Sequence, residues 1–142
     1  MYNFLNMSGL FSYSKHEKLK SRKQIEVLFV KGMQLYSYPF KILYQIATRT
    51  GDDAVLKAGV TVSSRHFKKA VQRNRIKRLM REAYRLNKVK LQQLLTEKPH
   101  QLYLFIIYVG KEMPNQQKLH SASHKLLVQL YQILHEMDTK NT

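Results

Sequence analysis

The residues with the clearest chemical character are Arg73, Asn74, Arg75, Lys77, Arg78, Arg81 and Arg85, with Arg65, Lys68 and Lys69 just upstream. A guanidinium presents a planar fork of N–H donors that matches two phosphate oxygens, and it stays charged at any physiological pH. At 100° per residue the run has two sides. With Ile76 as reference, Leu79, Met80, Ala83 and Leu94 fall within about 60° of it. Asn74, Arg78, Arg81 and Arg85 fall about 140–200° away, flanked by Lys77 and Lys88. One face can pack on a core while the other carries a ladder of cations. A mixed-charge face is ordinary solvated helix surface, but like charges at i, i+4 repel by roughly 0.2–0.5 kcal/mol per pair. Folding alone does not favour this ladder. A polyanionic partner accounts for it.

No other cluster suggests catalysis. His120 and His124 are one helical turn apart, with His135 on a similar face, but His-Ser-Ala-Ser-His lacks the glutamate of the zinc-protease pattern His-Glu-x-x-His. They read as solvated flank residues, and no metal site is expected. The acids Glu97, Glu112, Glu136 and Asp138 are scattered rather than paired. There is no glycine-rich phosphate loop and no nucleophile motif. Tyr103, Phe105 and Tyr108 alternate imperfectly and read as buried strand, without the pattern of an RNA-recognition motif.

Composition agrees with the ladder. The 142 residues hold 25 lysines and arginines against 9 acids, a formal charge of +16. Twelve of the basic residues fall between residues 57 and 90, where Glu82 is the one acid. Such a field favours nucleic acid or an anionic membrane. An interfacial helix would need its apolar face for lipid, whereas here that face must close the core, so RNA or DNA remains. Phosphate contacts alone do not separate the two. No apolar run approaches membrane-spanning length, and the N-terminus does not read as a secretory signal. The absence of cysteine removes disulfides and thiolate metal sites and fits the cytoplasm.

These residues need a scaffold, and the pattern predicts one domain over residues 15–138, with a flexible extension at 1–14 and a frayed end at 139–142. Ser21 and Gln24 fit a capping box before a short helix carrying Ile25, Leu28 and Phe29, which Gly32 should end. Residues 36–47 read as a strand, 50–53 as a turn and 55–62 as the returning strand. A helix over 70–95, a buried strand over 101–109 and a last helix over 115–137 follow, the last with Leu119, Ala122, Leu126, Leu130, Ile133 and Met137 on one face. The class is α/β: an α+β sandwich with helices on a small mixed sheet of about four strands.

Residues 70–85, Ala-Val-Gln-Arg-Asn-Arg-Ile-Lys-Arg-Leu-Met-Arg-Glu-Ala-Tyr-Arg, closely resemble the signature of the protein subunit of bacterial ribonuclease P, whose core is Arg-Asn-Arg-x-Lys-Arg. Gly59-Val60-Thr61-Val62-Ser63 looks like that family's strand entering the signature. Lys18-Leu19-Lys20 through Phe29 to Lys31-Gly32 is similar to its first helix. The resemblance covers about residues 14–110, the last helix agreeing in type only. It implies a ribosomal protein S5 domain 2-like fold with a left-handed βαβ crossover, against the usual hand. It also implies a division of labour. A catalytic RNA holding magnesium removes the 5′ leader of precursor tRNA, while the protein binds that RNA one-to-one, binds the leader and lowers the magnesium requirement, with no protein partner or membrane required.

By position, Arg65, Lys68, Lys69, Arg73, Asn74, Arg75, Lys77, Arg78, Arg81 and Arg85 would meet RNA. The leader would lie in a cleft near Ile25, Phe29, Tyr44, Ser63, Ser64 and Arg65. Ile25 stands where the family often has an aromatic residue, and Ser64 where it often has lysine. A base can stack on Phe29 or Tyr44 but not on Ile25, and Arg65 can supply the missing charge. A structural rRNA-binding protein of the ribosome is the alternative that composition allows and the Arg-Asn-Arg run disfavours. A protein-only nuclease would need clustered acids.

Overall fold

The computed structural model describes residues 12–51 and 53–140. Its strands are β1 (Met33–Ser37), β2 (Phe40–Thr48), β3 (Leu56–Val62) and β4 (His100–Tyr108). Its helices are α1 (Arg22–Lys31), α2 (Ala70–Asn87), α3 (Val89–Thr96) and α4 (Gln116–Lys140). The four strands form one mixed sheet in the order β1-β2-β4-β3. Only β3 and β4 are parallel, and α2 and α3 connect them. The expected α/β sandwich is present.

Helices pack on both faces of the sheet, so its central strand β4 is largely apolar on both sides. Leu102, Leu104, Ile106 and Tyr108 of β4 join Phe40, Ile42 and Tyr44 of β2 in the main core beneath α2, α3 and α4. Leu43 and Phe105 point the other way, into a smaller cluster with Leu19 and Leu28 that α1 covers. Gly59 permits that second packing. A Cβ there would lie 2.9 Å from the Leu19 carbonyl oxygen and 3.0 Å from the Phe105 ring.

Two expected elements divide. Residues 36–47 are not one strand: Met33–Ser37 turns back at Tyr38-Pro39 into β2, with Ser37 paired to Phe40. Proline has no N–H for a ladder, so Pro39 marks the turn rather than a strand interior. Nor is 70–95 one helix, because α2 stops at Asn87 and α3 starts at Val89. Lys88, between them, keeps helical angles (φ −80°, ψ −14°), so the periodicity scarcely registers the break. Gly32 does end α1, but at φ −71° rather than in the left-handed region. A side chain is excluded there because its Cβ would fall 2.4 Å from the Leu28 carbonyl oxygen.

An ion pair buried beside the core explains Lys88. Its side chain is fully buried, and Nζ donates to Oε1 of Glu17. Gln92 Nε2 donates to the same oxygen at 3.0 Å. Glu17 closes a one-turn 3-10 helix, Lys15–Glu17, whose capping box with Ser14 is reciprocal. Tyr13 donates its hydroxyl to the Ala58 carbonyl and meets Tyr84 edge-on at 5.2 Å. Tyr13 and Ser14 thus pack on the domain, while residues 1–11 of the expected extension lie outside the described residues. At the other end α4 is helical through Lys140, and residues 141–142 lie outside the described residues.

Burial alone would raise the Glu17 carboxyl, but hydrogen bonds from Lys88 and Ser14 and the Lys88 charge outweigh it, and its pKa is lowered. A depressed carboxyl pKa contributes stability above the ordinary carboxylate range, which is lost as pH falls through the folded-state value. Glu17→Ala would leave Lys88 buried and unpaired and should cost about 3–5 kcal/mol at neutral pH. Denaturant titrations should show the gap between variant and parent narrowing in acid, where the parent's Glu17 is protonated too. A gap that does not change with pH would refute the role of this pair.

Candidate nucleic-acid interface

The cation ladder sits on α2, held from three directions. Ile76, Met80, Ala83 and Tyr84 are buried, and Leu79 packs against the same core. The helix enters from the loop after β3, whose Phe67 is buried with its ring 6.1 Å from that of Tyr108. Arg73 secures this loop by donating from one Nη to the carbonyls of Phe67 and Lys68, both at 2.8 Å. The first turn of α2 has no acid, and no side chain caps it. Arg65, Lys68 and Lys69 are exposed just before this positive end of the helix dipole. There they add to an unfavourable field that an anion would relieve.

On the outer face Asn74, Arg75 and Arg78 are exposed, and Arg73, Lys77 and Arg81 are half-exposed. Among the described residues no carboxylate forms an ion pair with Arg75, Lys77, Arg78 or Arg81. Arg85 differs. It grips Glu82 with Nε at 3.2 Å and an Nη at 2.6 Å. The hydrogen bond with Arg85 holds the Glu82 carboxyl below its ordinary value, and that with Glu82 holds the guanidinium above its own. Lys88, which the sequence places on the flank of the ladder, faces inward to Glu17 instead.

The expected cleft residues do not all meet. Phe29 is 57% exposed on α1, edge-on to Phe105 at 5.9 Å, and half-buried Ile25 packs beside it. Ser63 follows β3 on the same side, and Ser64 and Arg65 are exposed beyond it. Tyr44 is not in this group. It is 6% exposed and belongs to the main core, on the opposite face of the sheet from Phe29. Directly paired residues share a face, and Lys41 pairs with both Tyr36 and Ile107, while Thr61 pairs with Ile107. The α1 face therefore carries the row Tyr36, Lys41, Ile107 and Thr61, with Tyr36 64% exposed at its edge. The sequence carries a signal for Tyr36. The turn at Pro39 puts it two pairs into the hairpin and on the Lys41 side.

His120 Nδ1 lies 3.3 Å from Asn87 Nδ2, and His124 is exposed one turn further along α4. Among the described residues no group of three or more histidines, cysteines or acids is placed to hold a metal ion. None of the described helices is long and apolar enough to cross a membrane.

A sequence model of the family Ribonuclease P matches residues 13–131. The ribonuclease P protein component of Porphyromonas gingivalis is 34% identical over 122 residues, covering 84% of this chain and 87% of its own length. That of Chlorobium phaeobacteroides is 36% identical over 135 residues, covering 85% of this chain and 90% of its own. The solved structure of the RNase P protein from Thermotoga maritima superposes with a TM-score of 0.56 at 26% identity, over 78% of this chain and 94% of that one. The Arg-Asn-Arg helix, the mixed sheet and these matches agree: the chain belongs to the ribonuclease P protein family, as the protein component of that bacterial tRNA-processing ribonucleoprotein.

Proposed function

We propose that the chain pairs one-to-one with a catalytic RNA in the bacterial cytoplasm and holds the 5′ leader of precursor tRNA against its sheet while the RNA cuts. The observation that carries this reading is the set of cations on α2 with no carboxylate paired to them among the described residues. Arg75, Lys77, Arg78 and Arg81, with Asn74 between them and Arg73 bracing the loop, would meet phosphates of the catalytic RNA. Arg65, Lys68 and Lys69 would extend that contact, and Arg85, held by Glu82, would flank it. Among the described residues no group of three or more histidines, cysteines or acids could hold a metal ion. Magnesium, which supplies the charge stabilisation for phosphodiester cleavage when bound, would sit on RNA oxygens. The protein's contribution is electrostatic and positional. Two folded RNAs repel, and a +16 chain between them offsets part of that repulsion.

The leader would run along the α1 face, with one base against Phe29, another against Tyr36, and its phosphates near Lys41 and Arg65. Tyr44 has no part in it.

Charge reversal at Arg75, Arg78 or Arg81 should weaken RNA binding far more than neutral changes at Glu97 or Glu112. Each lost phosphate contact should flatten the slope of log K against log salt by roughly 0.7–0.9. Unchanged affinity in all three folded variants would remove the α2 assignment. For the cleft, Phe29→Ala and Tyr36→Ala should each cost about 1–3 kcal/mol in binding leader-bearing precursor tRNA and spare mature tRNA. Tyr44→Ala should instead lower the melting temperature without favouring either RNA. Equal losses on both RNAs for Phe29→Ala and Tyr36→Ala would mean that the cleft does not read the leader.

A further inference from the structure

A second basic surface lies outside both of these regions. A groove of about 860 Å³ opens between the β1–β2 turn, the loop after β4 and the first half of α4. Tyr108 forms its floor, and its hydroxyl donates to the Glu112 carbonyl at 2.7 Å, which fixes the loop that carries Lys111. Lys118 and Lys125 line the α4 wall. They are two helical turns apart, about 10 Å along the axis. Tyr38 stands at the lip, 66% exposed. All three lysines are exposed, and among the described residues no carboxylate pairs with any of them, although Glu112 also lines the groove.

Spaced cations beside an exposed aromatic ring are what a single-stranded nucleic acid requires. Phosphates take the charges, and any base can stack on the ring. The groove is also linked through the core to the loop that enters α2. The Tyr108 ring lies 6.1 Å from that of Phe67, and Phe67 sits in the loop bearing Arg65, Lys68 and Lys69. We propose that this groove is a second RNA-binding site, which takes an unpaired segment of the same catalytic RNA that α2 engages. Lys111, Lys118 and Lys125 meet its phosphates and Tyr38 stacks on one base. The proposal rests on the RNA-binding reading of α2.

The test uses the full-length chain and the catalytic RNA, comparing the parent with K111Q/K118Q/K125Q, Y38A and the α2 variant R78E/R81E. All substituted residues are exposed or half-exposed, and circular dichroism checks the fold. The triple variant should lose affinity and flatten the salt slope by about 2, at roughly 0.7 per single-strand phosphate. Y38A should lose roughly five- to 150-fold in affinity with the slope unchanged, because it removes no charge. Backbone footprints of parent and triple variant should differ in an unpaired segment. Unchanged affinity and slope in the triple variant, with R78E/R81E weakened, would overturn the groove and leave α2 standing. If R78E/R81E is unchanged as well, both fall together. A footprint difference confined to a paired helix, or a groove that prefers an acidic peptide to RNA, would also overturn it.

Discussion

The cations of α2 repel one another, and the fold holds them together without neutralising them. Each like-charge pair one turn apart costs roughly 0.2–0.5 kcal/mol. Burial of Ile76, Met80, Ala83 and Tyr84 beneath the same helix returns about 1.5–3 kcal/mol for each large side chain. Packing therefore wins with room to spare, and the repulsion survives as a field at the surface. Most of the architecture serves that outcome. The sheet supplies a flat apolar face, α4 closes the helix from the side, and Arg73 turns its guanidinium back to the carbonyls of the entering loop. The strongest charge concentration in the sequence is thus presented on a rigid element, and rigidity keeps the binding penalty small.

The N-terminal segment secures the other end of the helix. Glu17 reaches Lys88 where α2 gives way to α3, and Tyr13 reaches both Tyr84 and the β3 carbonyl of Ala58. Burial pushes the Tyr13 hydroxyl up to about 12 and the Tyr84 hydroxyl well above its ordinary range, so both remain neutral. A basic residue in the midst of the most cationic stretch is structural, and one of the chain's nine acids is committed to it.

Much of this was legible in the sequence for a physical reason. A helix that must bury one face and charge the other writes its period directly into residue types, so Ile76, Met80 and Ala83 fell opposite Asn74, Arg78 and Arg81 as expected. The strands were harder because both sheet faces are covered. Leu43 and Tyr44 are each suited to burial, and alternation cannot say which of them faces α1, so Tyr44 was placed with Phe29 when it belongs to the main core. The turn at Pro39 was the missed signal: it separates β1 from β2 and puts Tyr36 on the α1 side. Lys88 was illegible for a different reason. Its partner is 71 residues away, and nothing local distinguishes a buried lysine with a distant carboxylate from another rung of the ladder. Ser14-Lys15-His16-Glu17, a Ser-x-x-Glu pattern of the same kind as the one read at Ser21, was readable and would have placed Ser14 in the folded domain.

In the proposed assembly this chain supplies charge and position while an RNA supplies the chemistry. The most direct test is the rate of precursor tRNA cleavage by a cognate catalytic RNA, measured against magnesium concentration with and without the protein. The protein alone should cut nothing, and added to the RNA it should restore cleavage at low magnesium. The gain should shrink at high magnesium and high ionic strength, where free cations provide the same screening. Cleavage by RNA-free protein, or no gain at low magnesium with a cognate RNA, would contradict it.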